Sequence, residues 1–395
     1  MADCWSAAPV EYGAANPDAA REWPTADLAR RLDRALDVAD DTIQRLTTST
    51  ERVDGLDGGA PDRLVIDTAI LLREAVSVRK FLAPDIPVRA RHLAHRLASY
   101  VRHSRVALEI VARPSFGREY VAAHLILSAF GVTDDQFDRV LVMAHESHRG
   151  TARERSGISP HDLEQAWIAS LSGIPTISGD AVERTALHTG IDFVFGHRDD
   201  VRSLARGIMF ATDFGRRAPR SIQGDRVSAM AESALAAALD DNDFPLMGEL
   251  LLAWPLLHVA WTPVATIAFQ ILSRINAEGG LSYVMGTLCA GILRAKRSPF
   301  TLPPIGGGSV TRADALLRIA ESEEHRPRWV DCVASLTSER RASCEGFMSD
   351  ALLRRAMRRL DWETVRRVLF GVAAAETPLS AQVVAALPAA LGVRS

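Results

Sequence analysis

Residues Ser233 to Leu272 read SALAAALDDNDFPLMGELLLAWPLLHVAWTPVATIAFQIL. Two apolar runs at helical spacing are broken at Asp240-Asp241-Asn242-Asp243 and again before Thr262-Pro263. Asp243 stands where a helix N-cap belongs, and Thr262 followed by Pro263 is a cap with proline at the first helical position, where its missing N–H costs nothing. Residues Ala351 to Leu391 read ALLRRAMRRLDWETVRRVLFGVAAAETPLSAQVVAALPAAL and repeat the pattern. Asp361-Trp362 answers Asp243-Phe244, and Thr377-Pro378 answers Thr262-Pro263, at offsets of 118 (361 − 243) and 115 (378 − 263). A fainter third copy runs through Phe130, Asp134, Phe137 and Leu141. One helix-turn-helix unit used more than once is the signature of a stacked helical array.

The rest of the chain agrees. Leu28, Leu32, Ala35, Leu36, Ala39 and Ile43 form one apolar stripe, and further helices are expected over residues 63–82, 89–113, 120–130, 160–171, 199–214, 262–275 and 281–295. No stretch alternates apolar and polar residues with β-branched enrichment, so no sheet is expected. The expected class is all-α, helix-pair repeats of about 40 residues forming an α/α toroid or a curved α-solenoid. Residues 1–24 read as a disordered tail, 25–300 as the main helical domain, 301–309 (TLPPIGGGS) as a loop or linker, and 310–395 as C-terminal repeats closing the same array.

Composition sets limits. The 395 residues are 47% hydrophobic and 24% charged, with net charge −3. That is ordinary for a globular core and gives no field that would gather nucleic acid or a membrane surface. Cys4, Cys289, Cys332 and Cys344 show no C-x-x-C spacing. The opening residues carry neither a basic region nor an apolar signal core, and no run is long enough to span a bilayer, so a cytoplasmic location with reduced thiols is expected.

No phosphate loop, dinucleotide fingerprint, zincin motif or nucleophile elbow is found, and no cofactor or metal is expected. Asp240, Asp241 and Asp243 resemble a magnesium-binding aspartate cluster, but capping already explains Asp243 and no second cluster faces it. His145, Glu146 and His148 crowd one helix end, where three ligands rarely converge. Glu249 is more telling. A carboxylate inside PLMGELLLAWPLL must be paired, hydrogen-bonded or neutral, which makes it either a structural ion-pair partner or a candidate acid or base. Asp213 ends an apolar helix, where the dipole disfavours an anion; Arg206, Arg216 or Arg217 would compensate it. His124, within YVAAHLILSAF, is either a satisfied core histidine or a third catalytic group. Arg206 and Arg217 are candidate anion-binding residues. Trp254 is a candidate substrate wall or simply core, with His258 and Trp261.

VRSLARGIMFATDFG and DNDFPLMGELLLAWPLL together resemble a poorly characterised actinobacterial all-helical family from gene clusters for specialised metabolites. The resemblance rests on Thr212-Asp213-Phe214-Gly215 and on Asp241, Asp243 and Glu249, and covers about residues 202–272, with an echo over 103–167. Where that family carries a Thr-His pair, this chain has Ala205-Arg206, so a histidine role is not carried over. It implies acid/base-assisted cyclisation or elimination on a small anionic substrate, free or tethered to a carrier protein, of the kind that closes strained nitrogen rings. A second protein subunit completing the site is compatible with it. The alternatives are a non-catalytic module binding a partner or carrier protein, and a magnesium-dependent isoprenoid-type cyclase.

Overall fold

The structure is a computed structural model that describes residues 25–49, 60–112, 118–149, 162–173, 182–193, 198–218, 222–275, 280–295, 309–323, 326–327, 329–371 and 377–390. The sequence-predicted tail over 1–24 and the linker core over 301–308 lie outside these residues. Among the described residues every regular element is helical and none is a strand, so the fold is all-α.

The helices are α1 (Thr25–Ser49), α2 (Ala60–Ser77), α3 (Ile86–Val101), α4 (Ser104–Ala112), α5 (Arg118–Ala129), α6 (Asp135–Arg149), α7 (Asp162–Leu171), α8 (Ala186–Thr189), α9 (Arg198–Ala211) and α10 (Gly224–Asp240). They continue as α11 (Phe244–Leu251), α12 (Ala253–Leu257), α13 (Pro263–Arg274), α14 (Gly280–Ala295), α15 (Val310–Glu321), α16 (Trp329–Ala334), α17 (Ser338–Ala342), α18 (Glu345–Arg359), α19 (Trp362–Arg366) and α20 (Pro378–Ala390). None is long and apolar enough to cross a membrane among the described residues.

The repeated signals do the same physical work in both copies. Asp243 Oδ1 accepts from the Leu246 amide at 3.3 Å, and Asp361 Oδ1 accepts from Thr364 at 3.0 Å. Asn242 and Leu360, one residue earlier, both adopt left-handed backbone, at φ 54 and 57. Thr262 caps α13 and Thr377 caps α20 through their hydroxyls, on Ala265 (3.2 Å) and Ser380 (3.0 Å). Each threonine hydroxyl also donates to a carboxylate on the first helix of its own unit: Thr262 to Glu232, Thr377 to Asp350. Asp134 caps α6 in the third copy, accepting from Phe137 at 3.0 Å. One expectation needs correction: the run from Pro245 to Leu257 is not a single helix. It breaks at Leu252, because Pro255 has no amide to give to the carbonyl of residue 251.

Helix contacts run in a circuit. Helix α2 packs on α5, α5 on α7, α7 on α9, α9 on α11, and α11 on α14, which returns to α1 and α2. The return is close because Gly286 presents no side chain; a Cβ there would lie 2.6 Å from both Ala35 Cβ and Leu71 Cδ1. Arg31 Nη1 adds a hydrogen bond from α1 to the Ser273 carbonyl on α13, at 2.8 Å. Helices α18 and α20 pack instead on α10. There Asp350 accepts from Ser233, while Arg355 and Arg358 pair with Asp240 and Asp241. Two of the three aspartates that resemble a magnesium cluster are thus paired with arginines. Cys289 and Cys344 are buried free thiols, and burial pushes both above the ordinary thiol value, Cys289 to about 12.

Candidate functional site

The helices of the circuit line a partly open cavity of about 60 Å³. Its polar wall is Arg63 and Asp67 from α2, Glu164 from α7, Arg206 from α9, Glu249 from α11, and Tyr283 and Thr287 from α14. Ile66, Met209, Phe210 and Phe214 supply apolar wall. Glu249 is 6% exposed. Its Oε1 accepts from Arg63 Nη2 at 3.0 Å, and Arg63 Nε donates to Asp67 Oδ2 at 3.0 Å, so one guanidinium bridges two helices through two carboxylates. Glu249 Oε2 is buried and accepts no hydrogen bond among the described residues; the Arg202 Nε stands 3.9 Å away, an ion pair without a hydrogen bond. Burial raises the Glu249 pKa, Arg63 and Arg202 pull against it, and the net direction is upward. Asp67 is shifted the same way by burial, against Arg63. Arg206 makes no ion pair among the described residues. Gly248, beside Glu249, lets α11 seat against α14: a Cβ there would lie 2.3 Å from Val284 Cγ1.

One side of the cavity is shaped by the turn after α9. Asp213, Phe214 and Gly215 all take positive φ, at 48, 54 and 79. Two consecutive non-glycine residues in the left-handed region are strained and persist only where the surroundings hold them. Here they are held firmly. Arg73 grips Asp213 with two hydrogen bonds, Nη1 to Oδ1 at 2.6 Å and Nη2 to Oδ2 at 2.9 Å, and Trp167 Nε1 donates to Oδ1 at 2.8 Å. Glu74, fully buried, is clamped by Arg216 and Arg294, and Arg294 also donates to the Phe214 carbonyl. The Thr212 hydroxyl accepts from the Gly215 amide at 3.2 Å. The result delivers the Phe214 ring into the cavity wall beside Trp167, at 5.6 Å, and Phe210, at 6.3 Å.

The sequence model of a family described as "Domain of unknown function (DUF6895)" matches residues 32–285. The chain belongs to this family. No curated protein and no solved structure matches the chain. The DUF6895 stretch runs from within α1 to the start of α14, so it takes in most of the helix circuit and every polar cavity residue except Thr287.

Of the six residues singled out in the sequence, Glu249 and Arg206 line the cavity. Asp213 sits one residue from Phe214 in its wall but does not face it as a proton carrier. Burial would raise its pKa; the Arg73 guanidinium and the Trp167 indole outweigh that and hold it below the ordinary carboxylate value, with both oxygens occupied. The cation that grips it is Arg73, with Arg216 adding a weaker attraction; Arg206 and Arg217 make no ion pair with it among the described residues. His124 is a fully buried histidine whose Nδ1 accepts from Arg102 at 3.0 Å and whose Nε2 lies 2.8 Å from Asp138; it does not line the cavity, and burial lowers its pKa. Trp254 is core, stacked 6.0 Å from Trp261. Arg217 is tied into the turn by its amide, which donates to the Thr212 carbonyl at 2.9 Å, and does not line the cavity. The side chains of His145, Glu146 and His148 lie outside the described residues. Arg63, Asp67, Glu164 and Tyr283 were not singled out. Asp67 carried the signal that marked Glu249, a carboxylate inside an apolar helical run (RLVIDTAILL).

Proposed function

We propose that this DUF6895 protein acts on a small molecule in the cavity, with Arg206 pairing an anionic group of the substrate and Glu249 transferring a proton in a cyclisation or elimination. One observation carries the reading: a guanidinium with no ion pair among the described residues and a buried carboxylate with an oxygen that accepts no hydrogen bond among them line one cavity. Burial strengthens Glu249 as a base, and Arg63 and Arg202 steady its ionised form. In such a step Glu249 takes a proton from carbon. The released electron pair forms a double bond or a ring bond, and the leaving group departs with its own pair. The helix circuit supports reading the array as a closed α/α toroid with the cavity at its middle. Anionic intermediates of bacterial specialised metabolism are the substrate class this reading tests first.

The experiment is incubation of the purified chain with intermediates made by neighbouring genes, followed by mass spectrometry for loss of a small group. Glu249→Gln is expected to lower turnover at least a hundredfold at an unchanged melting temperature. Undiminished turnover by Glu249→Gln overturns the assignment. A second reading, a non-catalytic interaction module, draws on one feature outside the matched stretch: Leu360, Trp362 and Phe370 are large apolar residues exposed around α19. It predicts a concentration-dependent mass in sedimentation that Phe370→Asp removes.

A further inference from the structure

We infer that a second pocket, where α2, α3 and the end of α5 come together, binds a medium-chain aliphatic carboxylate, with the chain between the helices and the carboxylate at Arg79 and Arg91. The pocket measures about 280 Å³ and shares no lining residue with the cavity that Glu249 and Arg206 line. It stands or falls independently of the reading of that cavity.

Small side chains make the space. Ala75 on α2, Ala90 and Ala94 on α3 and Ala129 on α5 line it and leave the gap between their helices unfilled. Leu72 and Ile86, both buried, and the half-buried Phe130 and Val132 complete an apolar wall. Water is poorly held in such a place. A bound water needs two to four polar partners, and the side chains of this wall offer them only at the two arginines. Exchange of loosely held water for an alkyl chain is favourable.

Charge selects the head group. Among the described residues the lining holds two guanidiniums and no carboxylate. The neighbouring arginines differ. Arg73 on α2 pairs with Asp213, and Arg89 and Arg96 on α3 pair with Asp33, Asp37 and Asp40 of α1. Arg102, just past α3, donates to His124 and to the Val132 carbonyl. Arg79 and Arg91 form no ion pair among the described residues. Both are exposed and both line the pocket, so they stand at its opening. An anion placed between them relieves their mutual repulsion, and the planar guanidinium fork fits a carboxylate with two parallel bonds. A cation is repelled there, and an uncharged alcohol gains only from its chain. A phosphate cradle would add free amides of a helix first turn. The first turn of α3, which borders the pocket, has none to give: Pro87 lacks an N–H, and Val88 and Arg89 both donate to the Asp85 carbonyl, at 3.0 and 3.1 Å.

Volume sets a lower bound on the chain. At the roughly 30 Å³ that one water takes in the liquid, 280 Å³ holds about nine non-hydrogen atoms. Because the pocket is partly open, this is a floor on ligand size and not a ceiling. Octanoate is close to that floor.

The test is calorimetric titration of the full chain with sodium octanoate, butyrate, octylamine, octanol and octyl phosphate. Each buried methylene is worth about fourfold in affinity, so butyrate, shorter by four, is expected to bind roughly thirtyfold or more weakly than octanoate. Octanol, octylamine and octyl phosphate should all bind more weakly than octanoate. Exposed ion pairs are each worth only a few-fold, so Arg79→Gln and Arg91→Gln combined should weaken octanoate by about three- to tenfold and leave octanol unchanged. Ala90→Leu, which fills the gap, should weaken octanoate at least tenfold, and Arg206→Gln should not change it. The paired arginine variant, altered only at exposed side chains, decides the matter if Ala90→Leu does not fold. Octanol or octylamine binding as tightly as octanoate, or octyl phosphate binding more tightly, overturns the carboxylate assignment. No octanoate binding, or octanoate binding that the paired arginine variant leaves unchanged, overturns the site.

Discussion

The return of α14 to α1 and α2 closes the circuit of helix contacts, and a single methyl group tests it. In Gly286→Ala the new Cβ would lie 2.6 Å from Ala35 Cβ and 2.6 Å from Leu71 Cδ1. Ordinary carbon contacts are about 3.5–4.0 Å, so roughly 1 Å of movement is needed on both sides. Leu71 can turn away. Ala35 cannot, because its Cβ is fixed to the backbone of α1. Overpacking of this kind costs typically 1–3 kcal/mol, and alanine recovers about 1 kcal/mol of helix propensity over glycine. With a rigid partner the upper part of the range applies, and net destabilisation of about 1–2 kcal/mol is expected from urea unfolding. A second substitution makes the test specific. Ala35→Gly alone loses about 1 kcal/mol of helix propensity, yet it removes the obstacle in the Gly286→Ala background. The double variant should therefore be more stable than the sum of the two single effects predicts, with a coupling of about 1 kcal/mol or more. Strict additivity, or a stabilising Gly286→Ala, would show that α14 does not pack on α1 as described, and the helix circuit would go with it.

Asp213→Ala leaves the Arg73 guanidinium and the Trp167 indole without their acceptor and puts alanine at positive φ, so a loss of about 3–5 kcal/mol is expected in urea. Asp213→Asn keeps one acceptor and a residue that tolerates the left-handed region, and should lose markedly less; equal losses would refute the clamp. Asp243→Ala and Asp361→Ala should each cost about 1 kcal/mol, and a large difference between them would deny that the two turns are one repeated device. Burial raises Asp350 from 3.8 to about 6 and Glu232 from 4.5 to about 7. Both folded values lie above the unfolded ones, so the stabilising contribution is complete below the unfolded values and is lost as pH rises through 6 and 7. Wild type should therefore lose stability relative to Asp350→Asn, on the order of 2 kcal/mol, between about pH 4 and about pH 8; a parallel pair of pH profiles would refute it.

The local devices were legible because their causes are local. Asp243, Thr262, Asp361 and Thr377 cap helices through amides only three residues ahead. Glu249 was legible as an anomaly, a charge where periodicity demands an apolar residue. What it meets was not legible, since Arg63 lies 186 residues away and nothing in either helix names the other. Asp213 shows the same limit. The sequence demands a cation near it and offers three neighbours, of which Arg216 contributes, but the grip itself comes from Arg73, 140 residues away, because α2 and the end of α9 meet in the circuit. His124 shows the converse, a residue whose odd place in an apolar run is explained by Arg102 and Asp138 with no part in the cavity.

The two clamps around the turn after α9 are hard to account for as stability alone. A buried ion pair with well-made hydrogen bonds roughly breaks even against apolar residues of the same shape, so Arg73–Asp213 and Arg216–Glu74–Arg294 gain the fold little. The turn they hold is itself strained at Asp213 and Phe214. A helix could end here with one glycine and no buried charge. What this costlier turn achieves is position: it fixes the Phe214 ring at the cavity wall against Trp167 and Phe210, where a relaxed turn would let the ring swing. The strain is thus placed where it shapes the cavity wall that Glu249 and Arg206 also line.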